Sequence, residues 1–150
     1  MRPVLTNDSE GRSAAPNLYE TDAATFLQDH ALGEEVFGPL GLVIRVAGPE
    51  EMETLARGFD GQLTATLHMD AGDTALAQRL MPVLECMAGR VLVNGFPTGV
   101  EVCDSMVHGA PYPASTNFGA TSVGTLSIRR FLRPVCYQNL PDALLPGDLT

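Results

Sequence analysis

This 150-residue sequence predicts an α/β fold with a mostly parallel sheet and flanking helices. The first observation is that strand-like and helix-like segments alternate in the order strand, helix, strand, helix, strand, which is typical of right-handed βαβ units. The second is that 45% of the residues are hydrophobic, enough for the core of one domain. A parallel sheet must be covered on both faces, and only two or three crossover helices are available. We therefore expect the sheet to be incomplete unless strands come from elsewhere.

The first third of the chain predicts a loop, a short helix and a buried strand. Residues 1 to 15 are polar and rich in small side chains, and predict a loop or disordered start. Asp22 can cap a short helix that contains Phe26 and Leu27. The run from Leu40 to Val46 is rich in Leu, Val and Ile and predicts a buried strand.

The next helix has signals at both of its ends. Pro49 suits the first helical position, Glu50 and Glu51 suit the positive end of the helix dipole, and Gly58 can end the helix. Apolar residues then alternate with threonine over residues 63–67, which predicts a strand.

The second half of the chain predicts a helix, a strand and a long loop. Asp73 can cap the helix, and Pro82 should kink it or split it in two. A short strand is predicted over 90–94. The Gly- and Pro-rich stretch 95–120 predicts a long loop, and such loops are usually functional. Two further elements are predicted near the end, a helix over 123–132 and a strand over 134–138.

Composition argues against several classes of function. The net charge is −9, and all nine basic residues are arginines spread along the chain, so nucleic acid is not an expected partner. No apolar run approaches the roughly 20 residues of a membrane span. The first eight residues lack the apolar core of a secretory signal. We expect a cytoplasmic protein with reduced thiols.

Cysteine and histidine offer few candidates for catalysis. Cys103 lies five residues before His108, so a nucleophilic pair is conceivable, but a packed thiol and a locally bonded histidine are the favoured interpretation. The wide spacing of the three cysteines is not that of a zinc site or a disulfide framework, and no metal is expected. Cys86 and Cys136 are predicted to pack in the core. His30 and His68 are predicted to be ordinary surface or core histidines.

The segment Glu34-Glu35-Val36-Phe37-Gly38-Pro39 places two carboxylates beside an aromatic ring and a rigid turn. One interpretation is a solvated acidic pair, the usual state of adjacent carboxylates. The other is a dinucleotide clamp, because one carboxylate can accept hydrogen bonds from both hydroxyls of a ribose and a phenyl ring can stack on a flat heterocycle. No Gly-rich phosphate-binding motif accompanies the segment.

With this segment and three others, nearly the whole chain resembles the aldehyde dehydrogenase superfamily. Residues 34–39 match the family signature, and the resemblance runs from about Pro16 to Leu149. Within the family, the sequence is similar to that of a bacterial NADP-preferring subgroup. Members of this subgroup act on α-ketoglutaric semialdehyde (2,5-dioxovalerate) or on fatty aldehydes. The other stretches that carry the resemblance are residues 61–68, 88–102 and 130–139.

The resemblance implies roles for particular residues. Glu35 would hold the nicotinamide ribose of NADP or NAD, and Phe37 would pack beside the nicotinamide. Residues 16–132 would be part of the catalytic domain. Residues 133–150 would form an oligomerisation strand and tail, so that a homo-oligomer is expected. The loop after the predicted strand 90–94 would line the aldehyde entrance with Asn94, Phe96, Pro97, Thr98, Gly99 and Val100.

The resemblance also implies what this chain does not supply. Family members are about three times as long, and their cofactor domain, nucleophilic cysteine and general-base glutamate would lie before Met1. We therefore expect the chain alone to bind the cofactor weakly or not at all and not to catalyse aldehyde oxidation. The alternative is a non-catalytic interaction module that associates with a full-length relative.

Overall fold

The computed structural model describes residues 1–97, 99 and 103–149. Within these residues, five strands and three α-helices are joined by turns and by short 3-10 segments, of which the longest is Thr125–Phe131. In chain order the elements are β1 (Arg2–Leu5), β2 (Asn17–Asp22), α1 (Ala23–Gln28), β3 (Leu40–Arg45), α2 (Pro49–Arg57), β4 (Gln62–Leu67), α3 (Thr74–Met87) and β5 (Ala88–Val93).

The strands form two small sheets instead of one. In the first, β2 is central, antiparallel to β1 and parallel to β3. The second contains β4 and β5, which are parallel. The α/β class and the prevalence of parallel pairing are therefore confirmed, whereas the expected single sheet is divided. Within the described residues, β3 and β4 are not paired with each other, and each keeps an open edge.

Helix α1 packs against one face of the first sheet. The Asp22 carboxylate accepts a hydrogen bond of 2.7 Å from the Thr25 N–H and so begins α1, as predicted. Phe26 of α1 is buried with Leu55 of α2, and its ring lies 5.1 Å from that of Phe59. This cluster covers one face of β2 and β3. On the opposite face, Val43 is 39% exposed.

The second sheet packs against α3. The cap at the start of this helix and the effect of Pro82 within it both differ from the prediction. Asp73 does not cap α3 with its side chain; it forms a reciprocal cap with Asp70 one turn earlier. Pro82 does not split the helix, which runs unbroken to Met87. The carbonyl that loses a partner at Pro82 belongs to Gln78, which is exposed, so water can satisfy it.

Three other predictions differ from the structure. Part of the expected N-terminal loop, Arg2–Leu5, pairs with β2 as an edge strand. The expected helix over 123–132 is the 3-10 segment Thr125–Phe131. The terminal strand expected over 134–138 is not formed within this chain. Such a segment needs a neighbour to hydrogen-bond with, and none of the described residues supplies one.

The chain exposes more surface than a protein of its mass usually does. Its accessible area is 11099 Å², whereas a monomer of 15.9 kDa is expected to expose about 7,400 Å². Large apolar side chains account for part of the excess, among them Phe37, Phe96 and Phe131. The excess is several times the roughly 800 Å² that one partner buries in a standard interface. No helix among the described residues is long and apolar enough to cross a membrane.

An ion-pair triad ties the three strands of the first sheet together. Glu20 on β2 accepts hydrogen bonds from Arg45 on β3 at 2.8 Å and from Arg2 on β1 at 3.0 Å. The hydrogen bond from Arg45 is the main cause that lowers the pKa of Glu20 from 4.5 to about 2. Because the folded pKa lies below the unfolded one, this stabilisation is complete above about pH 4.5 and is lost as the pH falls towards 2.

Replacing Glu20 with glutamine should therefore make the free energy of unfolding depend less on pH below about pH 4.5. The wild-type protein should lose stability between about pH 4.5 and 2, and Glu20→Gln should lose less over that interval. Urea unfolding followed by circular dichroism at several pH values measures this. Glu85→Gln, at an exposed position on α3, is the control and should keep the wild-type slope. An equal slope in wild type and Glu20→Gln would contradict the assignment.

Candidate functional site

The segment from Glu34 to Pro39 leaves the first core and turns sharply into β3. Glu34 follows the 3-10 turn His30–Gly33, and its N–H donates to the carbonyl of Ala31. The N–H of Gly38 then donates to Val36 at 2.8 Å. With its backbone held in this way, the segment presents the Phe37 side chain outward, and that side chain is 94% exposed.

Glu34 and Glu35 line a groove of about 460 Å³. Its other walls are the start of β4 and the returning loop at Pro113 and Ala114. No arginine of the described residues forms an ion pair with either carboxylate, so their oxygens are free to accept hydrogen bonds from hydroxyl groups. Phe37 lies outside the lining of this groove. The structure thus brings Glu35 to a cleft and leaves Phe37 as a free ring beside it.

Two glycines hold the long loop against the start of β4 and β5. A Cβ atom on Gly61 would overlap the carbonyl of Pro111, and one on Gly89 would overlap the carbonyl of Gly109. The loop backbone therefore lies directly on the two strands where Gln62 pairs with Ala88. This contact carries residues 113 and 114 into the wall of the groove that Glu35 lines.

Asn94 directly follows β5, and both its amide oxygen and its amide nitrogen form hydrogen bonds. Its side chain accepts a hydrogen bond from the Met69 N–H at 2.9 Å and donates one to the Met69 carbonyl at 2.8 Å. Its φ of 52° turns the chain out of the strand. In this structure Asn94 therefore fixes the ends of β4 and β5 to each other, at the base of the predicted entrance loop.

Phe96, Pro97 and Gly99 follow Asn94 at the end of β5. The Phe96 ring is 80% exposed and lies 5.9 Å from the His68 ring. Phe96 and Gly99 also line a groove of about 530 Å³ with residues of β5 and with Met106. Thr98 and Val100, the other two predicted entrance residues, lie outside the described part of the chain.

The predicted cofactor and substrate residues lie at opposite ends of the β4–β5 pair. The Glu35 groove reaches the start of β4 at Gln62, whereas Phe96 contacts His68, just past the end of β4. The grooves that Glu35 and Phe96 line share no lining residue. Within this chain they form two half-sites and not one closed pocket.

The cysteines and histidines form no second site in the described residues. The Cys103 thiol lies 3.4 Å from the Ser105 hydroxyl. The backbone N–H of His108 donates a hydrogen bond to the Thr121 hydroxyl oxygen. All three cysteines are free and exposed, so the prediction that they pack inside the protein is wrong. Across the ranges that the structure describes, no three His, Cys, Asp or Glu side chains come together as a possible metal site.

Sequence reasoning missed the residues that hold the loops in place. Gly61 and Gly89 were not singled out, although a glycine beside a strand is a known sign of a close backbone approach. Arg90 was also missed. An arginine inside an otherwise apolar strand was the available signal, because a partly buried guanidinium needs hydrogen-bond acceptors.

Comparison with known proteins gives two relatives that cover most of the chain. "Alpha-ketoglutaric semialdehyde dehydrogenase 2" of Azospirillum brasilense is 58% identical over 132 residues, which are 88% of this chain and 25% of that protein. "Alpha-ketoglutaric semialdehyde dehydrogenase" of Acinetobacter baylyi is 50% identical over 140 residues, 91% of this chain and 26% of that protein. No family model matches the chain. The chain spans about a quarter of the length of these relatives, and over that quarter it is similar to proteins that are named as aldehyde dehydrogenases.

Proposed function

We propose that this chain is the C-terminal part of an aldehyde dehydrogenase that oxidises α-ketoglutaric semialdehyde to the carboxylic acid with NADP or NAD. The observation that carries the proposal is the 58% identity over 88% of the chain to a relative that bears this name. The excess of exposed surface supports it, because a quarter of a larger enzyme would leave uncovered the surfaces that the rest normally covers.

Glu35 is the residue proposed to bind the cofactor ribose. Its carboxylate lies in a groove of about 460 Å³ and is exposed, so two ribose hydroxyls can reach its oxygens. Phe37, with its ring exposed beside the groove, is proposed to pack against the nicotinamide. These features fit the end of a dinucleotide. The bound nicotinamide would accept the hydride that leaves the aldehyde carbon.

The loop after β5 is proposed to line the aldehyde entrance. Phe96 gives it an apolar wall, and Gly99 borders the same groove. Since the ribose and entrance groups lie at opposite ends of β4 and β5, a complete site needs further residues between them. We propose that the rest of the enzyme supplies these residues, including the nucleophile.

The terminal segment over 134–138 is proposed to pair with a partner subunit. Val135 is 55% exposed and Tyr137 45% exposed, and the stretch has no strand neighbour among the described residues. An unpaired extended segment can complete its hydrogen bonds by joining the sheet of another chain. This unpaired segment and the open edges of β3 and β4 also favour a second candidate function. That function is an interaction module that binds a full-length relative without taking part in catalysis.

A hybrid enzyme tests the proposal and separates the two candidates. In the hybrid, the 132 matched residues of this chain replace the corresponding segment of the Azospirillum brasilense relative. If the chain supplies working half-sites, the hybrid should oxidise α-ketoglutaric semialdehyde with NADP or NAD. A folded but inactive hybrid, together with capture of the intact relative by the isolated chain, would favour the interaction module instead.

A further inference from the structure

The residues on both sides of Phe96 are hydrogen-bonded to other parts of the chain. On one side, Asn94 bonds to the backbone of Met69 through both of its amide atoms. On the other side, the carbonyls of Pro97 and Gly99 bond to one side chain, that of Arg90 on β5. Phe96 lies between these two attachments.

Arg90 makes its attachment through two different nitrogens of the guanidinium. One Nη donates to the Gly99 carbonyl at 2.5 Å, and the other donates to the Pro97 carbonyl at 3.1 Å. The first nitrogen also lies 4.0 Å from the sulfur of Met106, another residue that lines the groove. Hydrogen bonds from a charged donor are stronger than neutral ones, and the planar guanidinium fixes the spacing of its two acceptors.

We infer that Arg90 is a positioning residue that holds the entrance loop, so that the Phe96 ring stands at the mouth of the 530 Å³ groove. It acts through the loop backbone and does not touch the reacting atoms. The part of this inference that concerns the aldehyde entrance rests on the proposed function, whereas the attachment of the loop does not.

Two substitutions at this position separate geometry from charge. Arg90→Met keeps an unbranched, largely apolar side chain that can pack in a similar space but removes both donors. Arg90→Lys keeps the charge and can reach one carbonyl, but it cannot hold two acceptors in a fixed fork. Arg12→Met is the matched control, because Arg12 is exposed and lies in the loop between β1 and β2.

The attachment is tested by nitrogen-15 relaxation on the 150-residue chain. The backbone amides of Phe96 and Gly99 should have order parameters near those of rigid backbone, about 0.85. In Arg90→Met they should fall below about 0.6, with Arg90→Lys intermediate and Arg12→Met unchanged. Order parameters that stay at the wild-type value in Arg90→Met would overturn the attachment.

The role at the entrance is tested by steady-state kinetics of the hybrid enzyme. Because the loop binds the aldehyde without contacting the reacting atoms, Arg90→Met should raise the aldehyde KM about tenfold and leave kcat within about twofold. The KM for NADP should not change, and Arg90→Lys should recover part of the loss. A fall in kcat with an unchanged aldehyde KM would overturn the positioning role. An inactive wild-type hybrid, together with the expected relaxation effect in the 150-residue chain, would instead count against the proposed function.

Discussion

Replacing Gly89 with alanine should strongly destabilise this protein. Gly89 lies in β5, and the new Cβ would overlap the carbonyl oxygen of Gly109 and lie 3.2 Å from the Cβ of Ala110. Because those neighbours include backbone, they cannot rotate away as a flexible side chain could. Either the strand or the loop has to move. We expect a cost at the upper end of the roughly 1–3 kcal/mol that overpacking usually causes.

Urea unfolding followed by circular dichroism measures the loss of stability. Gly38→Ala is the control, because a Cβ at that position meets nothing within 4 Å. It should leave the free energy of unfolding within about 0.5 kcal/mol of wild type. A Gly89→Ala protein as stable as Gly38→Ala would show that the loop does not lie on β5.

A double substitution tests whether Gly61 and Gly89 hold the same loop. The Gly61 Cβ would overlap the carbonyl of Pro111, two residues after Gly109. If one substitution already lifts the loop from the strands, the second should add little. The double variant should therefore cost clearly less than the sum of the two single variants. Strict additivity would indicate two independent contacts.

Replacing Glu35 with glutamine should reduce cofactor use by the hybrid enzyme about ten- to a hundredfold in kcat/KM for NADP or NAD. Glutamine keeps the size of the side chain but removes the charge and one of the two acceptor oxygens. Hydrogen bonds to a charged group contribute about 1.5–3 kcal/mol, which corresponds to that range. The loss should fall on the cofactor and leave the aldehyde KM nearly unchanged, since the proposed entrance loop borders a different groove.

The neighbouring carboxylate gives a stringent comparison for Glu35. Glu34 lines the same groove, so Glu34→Gln alters the local charge by the same amount. If Glu35 alone binds the ribose, Glu34→Gln should cost several-fold less. Glu85→Gln, at an exposed position on α3, should have no effect. Equal losses for Glu34→Gln and Glu35→Gln would show that the groove acts through its charge and not through one residue.

Helix α2 was predictable because its signals are local. Pro49 at the first position, two acidic residues after it and Gly58 at the end all lie within ten residues, and the structure uses each of them. Strand β2 was not predicted, although it is the centre of its sheet. It carries Glu20 in its middle, which is satisfied by Arg2 and Arg45, 18 and 25 residues away. No local pattern in the sequence reveals such pairing.

The candidate site could also be predicted only in part from the sequence. The segment around Glu35 and Phe37 was found from its residue types and from its resemblance to a family signature. The hydrogen bonds from Arg90 to Pro97 and Gly99 were not found, because they depend on where the chain returns after β5. The terminal segment over 134–138 shows a third case. Its predicted strand depends on a neighbour, and the described chain does not contain one.

The most direct test of the central claim is the rate of NADPH formation by the isolated chain and by the hybrid enzyme, measured side by side with α-ketoglutaric semialdehyde and NADP. A copy of the Azospirillum brasilense relative without its matched segment serves as the blank. We predict turnover by the hybrid at a rate comparable to the intact relative, and none by the isolated chain or the blank. Turnover by the isolated chain at an enzyme-like rate, or a folded hybrid no more active than the blank, would contradict the claim.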